Sequence, residues 1–151
     1  MKAFDEYKKK YQNILNWLPG YLERNFTKIE NYGHLYENHL NKDDDFLKRR
    51  CRNERIDAST FIGNADEIVK YLHRALIDNK EEIAEYLADD SYGTDCYEIE
   101  CELGGLKGKI FYFDPQVHDW SEGAKDCHGI RMIIQKREKS NDFFVKTVFL
   151  Y

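Results

Sequence analysis

The chain has 151 residues, 42% of them hydrophobic and 15% aromatic, which is enough for one buried core and too few for two ordinary domains. Charged residues make up 34% and the formal net charge is −5, which excludes a protein that coats nucleic acid through its whole surface but leaves room for a local basic site. No apolar run reaches the roughly 18 to 20 residues of a membrane span.

Near Met1, Lys8-Lys9-Lys10 interrupts any apolar signal segment, so a chain that leaves its producer is expected to travel within a longer polypeptide or on a separate carrier. Phe4, Tyr7, Tyr11, Ile14 and Leu18 recur at three- and four-residue spacing. That spacing predicts an amphipathic helix over residues 1–20, stopped by Pro19-Gly20 and packed on or leading into the body.

Positions 48 to 55 read Lys-Arg-Arg-Cys-Arg-Asn-Glu-Arg, five cations against one carboxylate, and suit an exposed helix end. From Asn64 to about Ala88, Ile68, Val69, Leu72, Leu76, Ile83 and Leu87 mark one or two helices. Asn64 with Glu67 three residues later fits a variant of the capping box. His73 sits inside this pattern and reads as a half-buried structural residue.

After Gly93 the texture changes. Residues 97–101, 109–113, 130–134 and 143–151 are rich in β-branched and aromatic side chains and predict strands. Gly104-Gly105 and Lys139-Ser140-Asn141-Asp142 supply turns, which suggests antiparallel hairpins. The stretch from Asp114 to Gly129 reads as a long loop that either lies over a site or, the favoured reading, plainly joins two strands. Helices followed by an antiparallel sheet make an α+β fold in one domain.

Cys51, Cys96, Cys101 and Cys127 show neither a CxxC pair nor the density of a stapled secreted domain, so free thiols are expected. Cys127 with His128, and His118 with Asp119, repeat no zinc spacing, and neither metal nor cofactor is expected.

His34 and His39 lie five residues apart, with Lys42 and the basic stretch after them and Thr147 and Phe149 near the other end. On a strand, Thr147 and Phe149 project from one face while Val148 and Leu150 project from the other. A histidine acts as general base near neutral pH, and an arginine steadies charge on a phosphoryl oxygen, the equipment of metal-free RNA cleavage. Composition alone assigns neither role.

Gly33-His34-Leu-Tyr-Glu-Asn-His39-Leu-Asn-Lys42, then Asp45, Leu47, Arg50, Ile56, Ala58-Ser59-Thr60-Phe61 and Ala75-Leu-Ile-Asp-Asn79 follow in a fixed order. Leu103-Gly104, Gly108, Gly129-Ile-Arg-Met-Ile-Ile and Val145-Lys-Thr147-Val-Phe149 complete the series over residues 30–150. Together they resemble the RNase A-like C-terminal toxin domain of bacterial contact-dependent growth inhibition proteins.

The resemblance implies a kidney-shaped α+β fold like that of pancreatic ribonuclease, without its disulfides. It implies an endoribonuclease with His39 as a partly exposed general base, Arg50 as the cation at the phosphate and Thr147 as a hydrogen-bonding group at the phosphate or base. Phe149 stands where relatives carry an aromatic ring, in some of them Tyr. Lys42 either contacts phosphate or caps local structure, and His34 is either the general acid or a structural group. Both are counted with Phe149 as substrate-binding positions.

The implied partners are an RNA substrate rather than DNA, and a cognate immunity protein for which the basic stretch from Lys48 to Arg55 offers a contact. The acidic balance suits recognition of one folded RNA, such as a tRNA. The domain is expected to be delivered within a larger effector and to act in the cytoplasm of a competing cell. The alternative reading is a binding protein, either an inactive toxin relative or an immunity-type protein with an acidic surface.

Overall fold

The computed structural model describes residues 2–151 except 94, 122 and 139. The order is α1 (Lys2–Asn25), α2 (Leu35–His39), α3 (Asp44–Glu54), β1 (Ala58–Ile62), α4 (Ala65–Asp78) and α5 (Lys80–Ala88). Seven strands follow: β2 (Cys96–Glu102), β3 (Lys107–Phe111), β4 (Phe113–Asp114), β5 (Asp119–Trp120), β6 (Lys125–Asp126), β7 (Gly129–Lys136) and β8 (Phe143–Leu150). Two antiparallel three-stranded sheets, ordered β1-β3-β6 and β2-β7-β8, and a small β4-β5 ribbon complete the α+β architecture.

Helix α1 does not stop at Pro19-Gly20; it runs through them to Asn25. A proline inside a helix costs about 3 kcal/mol. Beyond it, however, Leu22 is fully buried and Phe26 nearly so, and burial of each stabilises by roughly 2 to 3 kcal/mol, which offsets the break. Phe26 stacks on Phe143 at 5.3 Å, and the Tyr21 hydroxyl donates to the Phe143 carbonyl. The continued helix thereby anchors the start of β8. At its other end the apolar stripe engages only from Tyr7 onward, since Phe4 stays exposed.

Two helices cover residues 65–88, and Asn64 caps the first by accepting from the backbone N–H groups of Asp66 and Glu67 at 2.8 and 3.2 Å. His73 lies in that helix, partly buried, 3.4 Å from the Glu23 carboxylate. All four cysteines are free. Among the described residues, no helix is long and apolar enough to cross a membrane.

β7 and β8 form the expected hairpin; of its turn, Lys139 lies outside the described residues. Gly104-Gly105 does not close a hairpin. β2 pairs with β7 and β3 with β1, so this turn carries the chain from one sheet to the other. The reason is that β1, absent from the strands expected, supplies β3 with a partner: four of its five residues are buried and read as a motif rather than as an alternating strand.

Residues 114–129 fold into the β4-β5 ribbon and β6 instead of a plain connection. The ribbon packs Phe113 and Trp120 on a second, small core of Leu47, Cys51, Ala58 and Phe111, which clamps α3 to β1 and β3. That clamp sets the distance between the basic helix and the central strand.

A one-residue bulge decides which side of β8 faces the core. Ile134 pairs with Val145 but Ile133 pairs with Thr147, leaving Lys146 extra. Phe143 and Val145 are buried before it, and Val148 and Leu150 after it. Without the bulge, Thr147 and Phe149 would share the core face of Phe143; with it, they turn away together, half-buried.

Candidate active site

His39 ends α2, a helix of five residues that has too little length to hold itself. Tertiary contacts hold it at both ends. Beyond it, Leu40 bridges Phe61 of β1, the Asn41 N–H donates to the Phe61 carbonyl at 2.8 Å, and the Lys42 N–H donates to Thr60 Oγ1 at 2.9 Å. Before it, Gly33 has φ 64° and lies against β8 so closely that a Cβ would meet the Lys146 carbonyl oxygen at 2.5 Å and the Thr147 Cα at 3.2 Å. Only glycine suits both the backbone conformation and the approach.

The expected partial exposure of His39 is not observed: the residue is 7% exposed. Leu35 and His39 are the buried residues of α2, and the ring is drawn inward to β1, where Nδ1 lies 3.1 Å from the Ser59 carbonyl. A carbonyl oxygen only accepts, so Nδ1 carries the hydrogen and Nε2 keeps its lone pair. Burial lowers the pKa of His39 to about 4, with the Ser59 carbonyl raising it, Arg50 lowering it, Glu54 raising it and His34 lowering it. The ring is neutral at pH 7.

Arg50 of α3 is near enough for its charge to act on His39. Its side chain is 15% exposed; Nε donates to Glu54 Oε2 at 2.7 Å and Nη2 reaches Glu54 Oε1 at 3.4 Å. Nη1 is buried and has no hydrogen-bond partner among the described residues. A buried guanidinium N–H left unpaired is costly. The hydrogen bond from Arg50 holds the Glu54 carboxyl below its ordinary pKa, so it stays ionised.

His34, Arg50 and Glu54 thus surround His39 electrostatically, and Gly33 brings the Thr147 backbone to the N-terminal end of α2. His34 itself is 75% exposed, 3.9 Å from Glu37. The Lys42 ammonium sits over Phe46, 5.0 Å from the ring centroid, and 6.0 Å from that of Tyr36. Phe46 precedes Arg50 by one helical turn, so Lys42 lies on the same flank. Phe149 shares the face of Thr147, paired with Arg131 of β7.

The basic stretch splits between two flanks of α3. Lys48 and Arg52 turn to the ribbon, 5.2 and 4.8 Å from the Trp120 ring, and Arg52 pairs with Asp119 at 2.9 Å. Asp119, considered with His118 as a metal ligand, is therefore the partner of an arginine. Among the described residues, no group of three His, Cys, Asp or Glu side chains is gathered as for a metal ion.

Two members of the site were not named from sequence. Glu54 is readable as the i+4 partner of Arg50 once α3 is recognised as a helix. The Ser59 carbonyl leaves no signal, because every residue carries one.

Comparison with known proteins adds the family. No curated protein and no solved structure matches the chain. The family described as the bacterial CdiA-CT RNase A domain matches residues 33–149, a segment that opens at the glycine packed on β8 and closes at Phe149. All six residues singled out from the sequence lie inside it. The chain belongs to the bacterial CdiA-CT RNase A domain family, whose name describes a ribonuclease domain of a delivered contact-dependent toxin.

Proposed function

We propose that the domain is a metal-free endoribonuclease toxin in which His39 Nε2 is the general base and Arg50 is the cation at the scissile phosphate. The observation that carries this reading is a neutral His39 imidazole whose Nδ1 is already engaged by the Ser59 carbonyl and on whose charge Arg50 acts. His39 takes the proton of the ribose 2′-OH, and the oxygen attacks the adjacent phosphorus. A 2′,3′-cyclic phosphate forms and the 5′-oxygen leaves with a proton from a general acid. His34, exposed at the N-terminal end of α2, is the candidate for that acid.

Arg50 steadies the charge that builds on the phosphoryl oxygens. Thr147 donates or accepts at the phosphate or the base. Lys42 contributes a neighbouring phosphate contact, and Phe149 offers a ring beside Thr147. The acidic overall balance supports a single folded RNA, such as a tRNA, over indiscriminate RNA binding. A cognate immunity protein with an acidic surface over α3 would cover the same site. The residues described form one toxin domain, which acts in the cytoplasm of the target cell after delivery.

The test is gel analysis of total RNA from cells in which the domain is induced, beside a His39→Ala variant. The parent is expected to cleave RNA, to leave 2′,3′-cyclic phosphate ends and to withstand EDTA. The variant is expected to lose about 10²- to 10⁴-fold in rate. Cleavage of a substrate with 2′-deoxyribose at the scissile position, or full activity in the variant, would overturn the assignment.

A further inference from the structure

Resting on that reading, we propose that Glu54 is a positioning residue of the cleavage site: it fixes the orientation of the Arg50 guanidinium and offsets the positive charge that Arg50 imposes on His39 as the base takes its proton.

The geometry divides the guanidinium into two edges. Glu54 occupies the edge made by Nε and one side of Nη2, at 2.7 and 3.4 Å. Nη1 is sealed from solvent without a hydrogen-bond partner among the described residues, so the guanidinium is tied by Glu54 on one side and packed on the other. An arginine without Glu54 has several side-chain rotamers open to it. With Glu54 one turn on along the same helix, one orientation of the guanidinium is selected before the substrate arrives. Glu54 is half-exposed, so the pair contributes little to stability and its consequence lies in orientation.

As His39 takes the 2′-OH proton it becomes an imidazolium in a buried place. The groups that act on its charge are Arg50 and Glu54 from α3 and His34 from the start of its own helix. β1 contributes the uncharged Ser59 carbonyl, and on β8 the Lys146 side chain is exposed. Arg50 opposes protonation of His39. The Glu54 carboxylate favours it, which lets a phosphate-binding cation sit beside the base without suppressing it.

The experiment compares the parent with Glu54→Gln and Glu54→Asp, using a ribodinucleotide substrate and NMR titration of the His39 imidazole in the free protein. In Glu54→Gln, kcat is expected to fall about 10- to 100-fold with a smaller change in KM. The His39 titration and the acid limb of the pH profile are expected to move to lower pH. Glu54→Asp keeps the charge but is too short for the two-point contact, so it should restore the titration while recovering only part of kcat. A contact that served the fold alone would lower the melting temperature and leave these readouts in place, and that result overturns the proposal. The NMR titration is independent of cleavage: if the parent does not cut RNA but His39 still shifts in Glu54→Gln, the ribonuclease reading fails while the Glu54–His39 coupling stands.

Discussion

Gly33 and Lys146 are separated by more than a hundred residues, yet their backbones meet so closely that a single added carbon on Gly33 would lie 2.5 Å from the Lys146 carbonyl oxygen. This contact joins the first part of the site to the last. Its position is also special on the strand, because Lys146 is the bulge residue that turns Thr147 away from the core.

Gly33→Ala is therefore expected to damage both fold and site. The left-handed backbone alone costs a non-glycine residue roughly 1 to 2 kcal/mol, and the clash with backbone atoms adds to it. A fall of about 4 °C or more in melting temperature is expected for a chain of this size, together with loss of RNA cleavage. A variant with parental melting and parental rate would show that α2 can slide on β8 without consequence.

The buried His39 makes stability depend on pH. Its pKa is about 4 in the folded chain and near 6.5 in the unfolded one. Above pH 6.5 both states are neutral. Between pH 6.5 and 4 the unfolded chain takes the proton and the folded chain does not, so stability is lost across that window, by about 2 kcal/mol at pH 5. Urea unfolding at pH 7 and pH 5 measures this, and a His39→Gln variant should lose less on acidification than the parent. The same direction places the acid limb of cleavage below pH 6.

Arg50→Lys keeps the charge and removes the planar fork. The ammonium can pair with Glu54 or meet the phosphate, but it cannot do both in fixed directions. Cleavage is expected to fall about 10- to 100-fold with the melting temperature within about 2 °C of the parent. Parental cleavage by the lysine variant would reduce Arg50 to a general positive charge.

Thr147→Val tests the hydroxyl by itself. Valine preserves the β-branched shape, and Val148 and Leu150 keep β8 anchored in the core, so the strand should persist. Activity is expected to drop while the melting curve holds. Normal specific activity with a lower melting temperature would make Thr147 a structural residue and leave the site to His39 and Arg50.

Periodicity and local composition were sufficient for the α+β class, for α1 and the helices of residues 65–88, for most of the later strands and for the alternation of Thr147 and Phe149 with Val148 and Leu150. Each of these depends on neighbours a few residues apart, whose spacing is written in the chain. The ordered motifs likewise marked His34, His39, Lys42 and Arg50 as residues to consider. Tertiary structure decided the rest. Leu22 and Phe26 carried α1 past Pro19 because buried area outweighed a local break. β1 claimed β3 and undid the Gly104-Gly105 hairpin, because strand pairing answers to partners distant in sequence. His39 went inside because the Ser59 carbonyl, present at every residue and legible at none, was there to satisfy its ring. Lys146 turned the end of β8 because a bulge is a property of two strands together, and no single strand's sequence contains it.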